Sequence, residues 1–501
     1  QHLHRPTMSH RAPSVALSVL SLGVSTGTQA PPTKPFAPAW TPLTLGSIAP
    51  TGWLLGQLLR QANSLSGYLP TSTFPGAKAV NGSRWWGGSG TAHADDPPAS
   101  SADVVLGDAA VQWLPYWANG NVPLLLLIKA AGAEKQLDTA ADLDGVIKRM
   151  VEYVLTHTNR TNGWLGPFAN EPGDVNGHGL WDPLNMLRAL LMYAEGMPEY
   201  AERVAAAVVA HLTAEYRLLK TDPVYKWAST RWPTFVQICM YVIDRLVPAY
   251  AHMPSVMPLG DATTQLLLNA SFLFQAKGMD WRAYYNRSGR VKFPLGSVPN
   301  WNTNDHGVNN AEGAMAWPAM SFRLNGDSTA ATADMQLVMH MLKTYQGQPS
   351  ALFCADEVFC GRAAHRGTET CAVVEAMASL EQGFSVLGIA SLLDEAETLA
   401  YNALPAALTA DMWTHVYVQQ ANSIFAGKTR PQGDEQGGSS PTGVRRGCGA
   451  HAADTCVHET NEHAHARAHA CTYARTYADM NSRTHAAKVG ACGTHIRACT
   501  F

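Results

Sequence analysis

From Gly52 onward, apolar residues recur at the 3.6-residue period of an amphipathic helix for almost 400 residues. Ile147, Met150, Val151, Val154 and Leu155 share one face. So do Leu184, Leu187, Leu190 and Leu191, and then Val204, Val208, Leu212 and Tyr216. The same period predicts helices over 233–248, 307–323, 329–345, 369–388 and 391–403. Gly, Asn and Asp punctuate the breaks, as in Thr161-Asn162-Gly163 and Asn325-Gly326-Asp327. No run of alternating apolar and polar positions predicts a strand, so the expected class is all-α. About ten helices joined by short and medium loops suit a toroid or solenoid, and an (α/α)6 barrel closes such an array around a pocket at one end. Periodicity alone does not separate the barrel from an open solenoid.

The ends differ from this body. Residues 1–39 read as a leader and a Pro-rich lead-in without fixed structure. Within them Met8–Ala30 has a basic start, a short apolar stretch from Val15 to Val24 and small residues at Thr28-Gln29-Ala30, which is the order of a signal peptide. The helical pattern occupies 40–426. Residues 427–501 contain no Leu and no Trp, and are expected to be disordered because they cannot bury enough apolar area to offset their ordering entropy. Their His463-Ala464-His465-Ala466-Arg467-Ala468-His469-Ala470-Cys471 run reads either as a Cys/His metal tract or as translated CA/CG-repeat DNA; the codons of these residue types favour the second.

A net charge of −3 on 501 residues gives no electrostatic reason to expect nucleic acid or an anionic membrane as partner. No apolar stretch approaches the roughly 20 residues of a membrane span; Val122 to Ala131 is the longest. The nine cysteines are odd in number and scattered, which predicts no disulfide framework. Sequons at Asn81, Asn159, Asn269 and Asn286 are compatible with secretion and leave the compartment open.

The densest polar signal is Asp356-Glu357, followed by Gly367-Thr368-Glu369-Thr370-Cys371-Ala372 at the start of an apolar helix. Glu369 and Cys371 would not share a face inside a helix, but on a loop or first turn both could reach one metal ion, and carboxylate with thiolate suits zinc. The alternative is a capped helix start with Cys371 in the core. His306-Gly307-Val308-Asn309-Asn310 opens another apolar helix. It reads either as a pocket wall that donates to sugar hydroxyls or as a helix start capped by Asp305 and the amides. Trp113-Leu114-Pro115-Tyr116-Trp117 and Gly163-Trp164-Leu165-Gly166-Pro167 complete the set. No phosphate-binding loop, dinucleotide fingerprint, His-Glu-x-x-His or Gly-x-Ser-x-Gly occurs.

Taken in order, these segments resemble the glycoside hydrolase family 127 catalytic domain, the β-L-arabinofuranosidase type. The resemblance runs over about 40–425, from Leu45-Gly46-Ser47-Ile48 and Gly52-Trp53-Leu54-Leu55 through the four motifs above. It takes in Asp182-Pro183-Leu184-Asn185-Met186-Leu187, Arg323-Leu324-Asn325-Gly326-Asp327 and Tyr401-Asn402-Ala403-Leu404-Pro405-Ala406. It ends with Asp411-Met412-Trp413 and Gln419-Gln420-Ala421-Asn422.

The resemblance implies an (α/α)6 barrel followed by β-sandwich domains, and retaining hydrolysis of terminal arabinofuranosides. It implies a zinc-bound cysteine thiolate as nucleophile and a glutamate as acid/base. Glu357 takes the acid/base position, Glu369 and Cys371 match two zinc ligands, and His306, Asn309 and Trp113 form the candidate sugar-contacting set. The family draws its nucleophile and a further zinc ligand from adjacent cysteines downstream of the Gln-Gln-Ala-Asn stretch. No adjacent cysteines follow here, and no β-sandwich sequence does. The expectation is an incomplete zinc site and a chain with little or no hydrolytic activity; a non-catalytic glycan-binding protein is the alternative.

Overall fold

The computed structural model describes residues 32–71, 80–87, 104–167, 180–251, 260–295, 302–364, 366–413, 415–416 and 418–421. The Met8–Ala30 segment and the 427–501 tail lie outside them. Helices dominate the described residues: α1 (Gly52–Ala62), α2 (Leu65–Tyr68), α3 (Val104–Ala130), α4 (Leu143–Thr156), α5 (Asp182–Gly196) and α6 (Ala201–Thr221). They continue with α7 (Trp232–Tyr241), α8 (Asp261–Lys277), α9 (Trp317–Asn325), α10 (Ser328–Gln346), α11 (Thr370–Leu387) and α12 (Ser391–Thr398). No described helix is long and apolar enough to cross a membrane.

The apolar faces read from the sequence are the faces that pack. Ile147, Met150 and Val151 on α4, Leu184, Leu187 and Leu190 on α5, and Val204, Val208 and Leu212 on α6 are all buried in one continuous core. Trp117, Trp181, Trp232 and Trp281 are buried with them, so most of the tryptophan content here is packing material. Helix α3 is buried on all sides from Trp113 to Leu127 and contains Pro115 and Pro123, each of which removes one ladder hydrogen bond. Its neighbour α5 approaches closely at Gly196, where an added Cβ would stand 2.5 Å from the Leu126 side chain.

Several expectations are corrected. Three helices expected to be continuous are interrupted by π turns, at Val242–Leu246, Asn310–Ala314 and Leu399–Ala403. Such a turn inserts one residue into the ladder and re-aims the following side chains, which an average period does not reveal. The helix expected over 369–388 gives up its first residue to a two-stranded antiparallel ladder. There β1 (Gly367–Glu369) pairs with β2 (Val418–Gln420), in the register Gly367↔Gln420, Thr368↔Gln419 and Glu369↔Val418. Strands of three residues are too short to show alternation. Gly367 is required in the ladder, because a Cβ there would lie 1.8 Å from the Gln419 carbonyl oxygen.

The described end of the lead-in, expected to be disordered, is fastened to the helices. Phe36 N–H donates to the Arg323 carbonyl at 3.0 Å, and the Ala39 and Trp40 amides donate to Val386 and Ser385 at 3.1 and 2.8 Å. The expectation of no disulfide also fails locally: Cys354 and Cys360, both fully buried, are joined. A hairpin between them, with Ala355 paired to Phe359, folds the chain back over six positions, and a cysteine count cannot see that.

Candidate functional site

Four segments meet at the site. The first is the turn before the Asn310–Ala314 π segment, which carries His306. Asp305 does not cap this turn, as the sequence suggested. It is buried and held by the Arg290 guanidinium, with the Tyr284 hydroxyl donating to it at 2.6 Å. The cap is His306 itself, whose Nδ1 accepts the Asn309 N–H at 3.4 Å. That bond leaves Nε2 as the protonated nitrogen of the neutral ring. Nε2 points at Glu357 Oε2, 3.1 Å away, and at Glu369 Oε2, 3.8 Å away.

The second segment is the hairpin 354–360 with Glu357 at its apex. Glu357 has φ +107°, a conformation that a residue with a Cβ adopts only when its surroundings impose it. Its carbonyl accepts the Gly307 N–H at 2.7 Å, which ties the apex to the residue after His306. The neighbouring carboxylate is used differently. Asp356 is buried against Arg366, whose Nε donates to it at 2.8 Å, and Arg366 also donates to the Leu295 carbonyl at 2.5 Å. The Asp356-Glu357 pair is thus split between an anchor and a site group.

The third segment is the β1–α11 junction. Glu369 ends the strand, and its own N–H donates to the Ala355 carbonyl at 2.9 Å. Cys371 is in the first turn of α11, with Sγ 3.0 Å from Glu369 Oε1. The Glu369 carboxylate therefore spans two neighbours, the thiol on one oxygen and His306 on the other. Cys371 is buried at the helix start, as one sequence alternative had it, and its thiol lies against the Glu369 carboxylate. Glu369 is nearly buried, at 5% side-chain exposure, while Glu357 keeps 23%. Glu357 is the more accessible acid.

The fourth segment, Lys226–Thr230 with Arg231, was not anticipated. Trp227 packs edge-on against the His306 ring at 4.8 Å. Arg231 is buried between Trp181 and Trp227, its guanidinium carbon 4.3 and 4.6 Å from their rings. It donates to Asn309 Oδ1 at 2.6 Å and to the Tyr116 hydroxyl at 2.9 Å, and its Nη1 lies 3.0 Å from Glu312 Oε2. That last approach is a charge contact rather than an aligned hydrogen bond. The only sequence signal for this hub was an arginine set among tryptophans at Trp227 and Trp232, which a solvated charge would match equally well.

Of the candidate sugar-contacting residues, only His306 is brought to the acids. Asn309 is fully buried, with its oxygen on Arg231 and its nitrogen donating to the Thr303 carbonyl at 2.8 Å. Trp113 is buried in α3, one turn before Tyr116. A cavity of about 500 Å³ bordered by Lys343, Gln348, Arg362 and Glu395 contains none of the residues that surround His306.

Donor atoms of His306, Glu357 and Glu369 lie within 4.8 Å of one another. Two donors on one tetrahedral zinc stand about 3.3–3.6 Å apart, given bonds of about 2.0–2.3 Å. The separations of 3.0 Å for Cys371–Glu369, 3.1 Å for His306–Glu357 and 3.8 Å for His306–Glu369 bracket that value. Imidazole and carboxylate suit zinc, so His306, Glu357 and Glu369 fit such an ion; Cys371, against the other oxygen of Glu369, lies outside that group and joins it only by closing in.

No known family profile matches the chain, and no curated protein matches its sequence. Among solved structures, a GH127 beta-arabinofuranosidase superposes with a TM-score of 0.53 at 13% identity, covering 87% of this chain and 62% of that protein. Two further similar structures are a glycoside hydrolase (TM-score 0.44, 12% identity, 73% of this chain, 55% of that one) and a GH127 beta-L-arabinofuranosidase from Geobacillus stearothermophilus T6 (0.45, 12%, 77% and 58%). The chain spans about three-fifths of the length of these proteins. At this identity the likeness is one of fold.

Proposed function

We propose that this chain is a glycoside hydrolase-like protein whose pocket takes terminal arabinofuranosides or related glycan ends, with Glu357 as acid/base and Glu369, Cys371 and His306 as the donors for one zinc ion. We read the helical body as an (α/α)6 barrel with this pocket at one end. The observation that carries the proposal is the Glu369 carboxylate, set between the Cys371 thiol and the His306 ring while the more exposed Glu357 meets the same ring. The similar fold of a GH127 beta-arabinofuranosidase supports it.

In this arrangement Glu357 faces the leaving glycosidic oxygen and delivers its proton. His306 Nε2–H, when no metal replaces that proton, orients the Glu357 carboxyl. Trp227 supports the His306 ring and excludes water from its face. Zinc bound at Glu369 and Cys371 supplies the positive charge that keeps a coordinated thiol deprotonated near neutral pH. A retaining enzyme also needs a nucleophile about 5–5.5 Å from its acid/base. Among the described residues the cysteines outside a disulfide are Cys239 and Cys371. Cys239 is buried in α7 with its thiol pushed far up by burial, and Cys371 is committed to Glu369.

Hydrolysis by these residues alone is therefore slow, by a factor of about 10³ or more relative to a complete site. Glycan binding without turnover is the second reading, and the same cysteine inventory favours it. The test is zinc content and aryl β-L-arabinofuranoside hydrolysis by the full chain. Glu369→Gln and Cys371→Ser should each lower zinc affinity at least tenfold. Unchanged affinity in both would remove the metal assignment, and turnover near about 10 s⁻¹, an ordinary enzyme rate, would show that a nucleophile is in place.

A further inference from the structure

We propose that Cys354 and Cys360 are positioning residues for Glu357: their disulfide closes a seven-residue ring that holds the Glu357 carboxylate against His306. The proposal rests on the assignment of Glu357 as a site acid. The ring runs Cys354-Ala355-Asp356-Glu357-Val358-Phe359-Cys360, with Ala355 paired across it to Phe359 and the Cys360 N–H donating to the Cys354 carbonyl at 3.3 Å. Glu357 is its apex, in the one conformation of the ring that a Cβ disfavours.

Every flank of the ring is tied to a site residue. Val358 bridges to His306, and the Glu357 carbonyl takes the Gly307 N–H. The Ala355 carbonyl takes the Glu369 N–H, and both sulfurs lie against the Gly367 carbonyl oxygen, at 3.2 and 3.3 Å, two residues before Glu369. Asp356 is clamped by Arg366. A left-handed apex persists only while the surrounding structure over-determines it. Without the cross-link, the two cysteines are joined directly by one backbone hydrogen bond, from the Cys360 N–H to the Cys354 carbonyl, and the apex can relax to negative φ, which swings Glu357 away from the imidazole. The relationship is specific to Glu357, because Glu369 and Cys371 are fixed by the ladder and by α11.

A disulfide of this kind forms and persists in an oxidising compartment. A dithiol reductant that reaches it delivers two electrons and two protons to the sulfurs and leaves as its own disulfide, and the ring opens. Glycan handling by this chain is then tied to oxidising surroundings, in line with the signal-peptide-like order of Met8–Ala30.

The test follows the His306 Nε2–H directly, in full-length chain labelled with ¹⁵N-histidine and freed of metal by chelator. The His306–Glu357 hydrogen bond should give a slowly exchanging imidazole proton, assigned by its absence in His306→Gln. The internal control is His211, also buried, whose Nδ1 accepts the Leu165 N–H at 3.0 Å, so that its proton too resides on Nε2. Glu357→Leu, which removes the acceptor, should speed exchange at His306; if it does not, the assignment of Glu357 fails. Cys354→Ala/Cys360→Ala should speed exchange at His306 at least tenfold while His211 stays unchanged. It should add nothing in the Glu357→Leu background. Slow exchange at His306 in the double variant, where Glu357→Leu speeds it, overturns the positioning role alone. If the double variant loses the His211 signal too, the same readout is taken on wild-type chain reduced under native conditions; there, too, retained slow exchange at His306, or loss of both signals together, overturns the proposal.

Discussion

Arg231→Met should destabilise the fold by about 4 kcal/mol, and a sizeable part of that loss should be recoverable by a second change at Glu312. Arg231 and Glu312 are each 3% exposed, and Met occupies nearly the arginine's volume, so packing changes little. Electrostatics decides the effect. Removing one partner of a buried charge pair leaves the other uncompensated, which costs about 3–5 kcal/mol. The donations to Asn309 and Tyr116 go as well, at about 1 kcal/mol each, partly replaced by water. Glu312→Gln keeps an acceptor for the Thr234 hydroxyl, which donates to Oε1 at 2.7 Å, and removes the charge. Alone it should cost about 1–2 kcal/mol. The double variant should therefore be more stable than Arg231→Met by about 1.5 kcal/mol or more, the sign of strong coupling. Urea unfolding followed by tryptophan fluorescence measures all four proteins. Additivity within about 0.5 kcal/mol, or a loss below about 1 kcal/mol for Arg231→Met, would refute the view that this pair is buried and coupled.

Gly307→Ala places a Cβ 2.3 Å from the Ala355 Cβ, so it should lower Tm and weaken zinc binding at least tenfold, and Ala355→Gly should restore both; a tolerated Gly307→Ala would mean the two segments do not meet. Burial lowers the His211 pKa from 6.5 to about 3, so the folded chain keeps this ring neutral while the unfolded chain takes up a proton below pH 6.5. Stability is then lost as pH falls from 6.5 toward 3, at up to about 1.4 kcal/mol per pH unit. His211→Gln, which retains an acceptor for the Leu165 N–H, should flatten that limb in urea titrations, and superimposable acid limbs would count against the buried neutral ring. Glu215, on the same buried face, has its carboxyl pushed well up by burial, so its contribution runs the other way: the folded chain holds the proton and loses stability as pH rises above 4.5. Glu215→Gln should therefore gain on wild type as pH rises from 4.5 to 8, measured in the same titration.

How much of this was legible beforehand depended on the range of the interaction. The faces of α4, α5 and α6 were readable because a helix core is written every three or four residues, and the packed face is the apolar face whatever lies opposite. Glu369 and Cys371 were readable as a pair because they are two positions apart at a helix start. Glu357 and His306 stood out as polar clusters, and only a resemblance in the order of motifs gave them roles. Nothing local to residue 357 says that its neighbour Asp356 is an anchor.

Tertiary structure decided the rest. His306 and Glu357 are 51 residues apart in sequence and meet at 3.1 Å because the hairpin 354–360 is pinned to Gly307 and Glu369. Arg231 reads as a surface charge until Tyr116, Trp181 and the Asn309–Glu312 turn arrive from three other places in the chain to bury it. The Cys354–Cys360 link looked like noise in an odd cysteine count, yet a short hairpin made it geometry. Short-range periodicity fixes which side of a helix faces inward, because burial of apolar area is non-directional and needs no named partner. A catalytic distance is directional. It depends on hydrogen bonds and backbone conformations imposed by segments far away in sequence, and these exist only once the chain has folded.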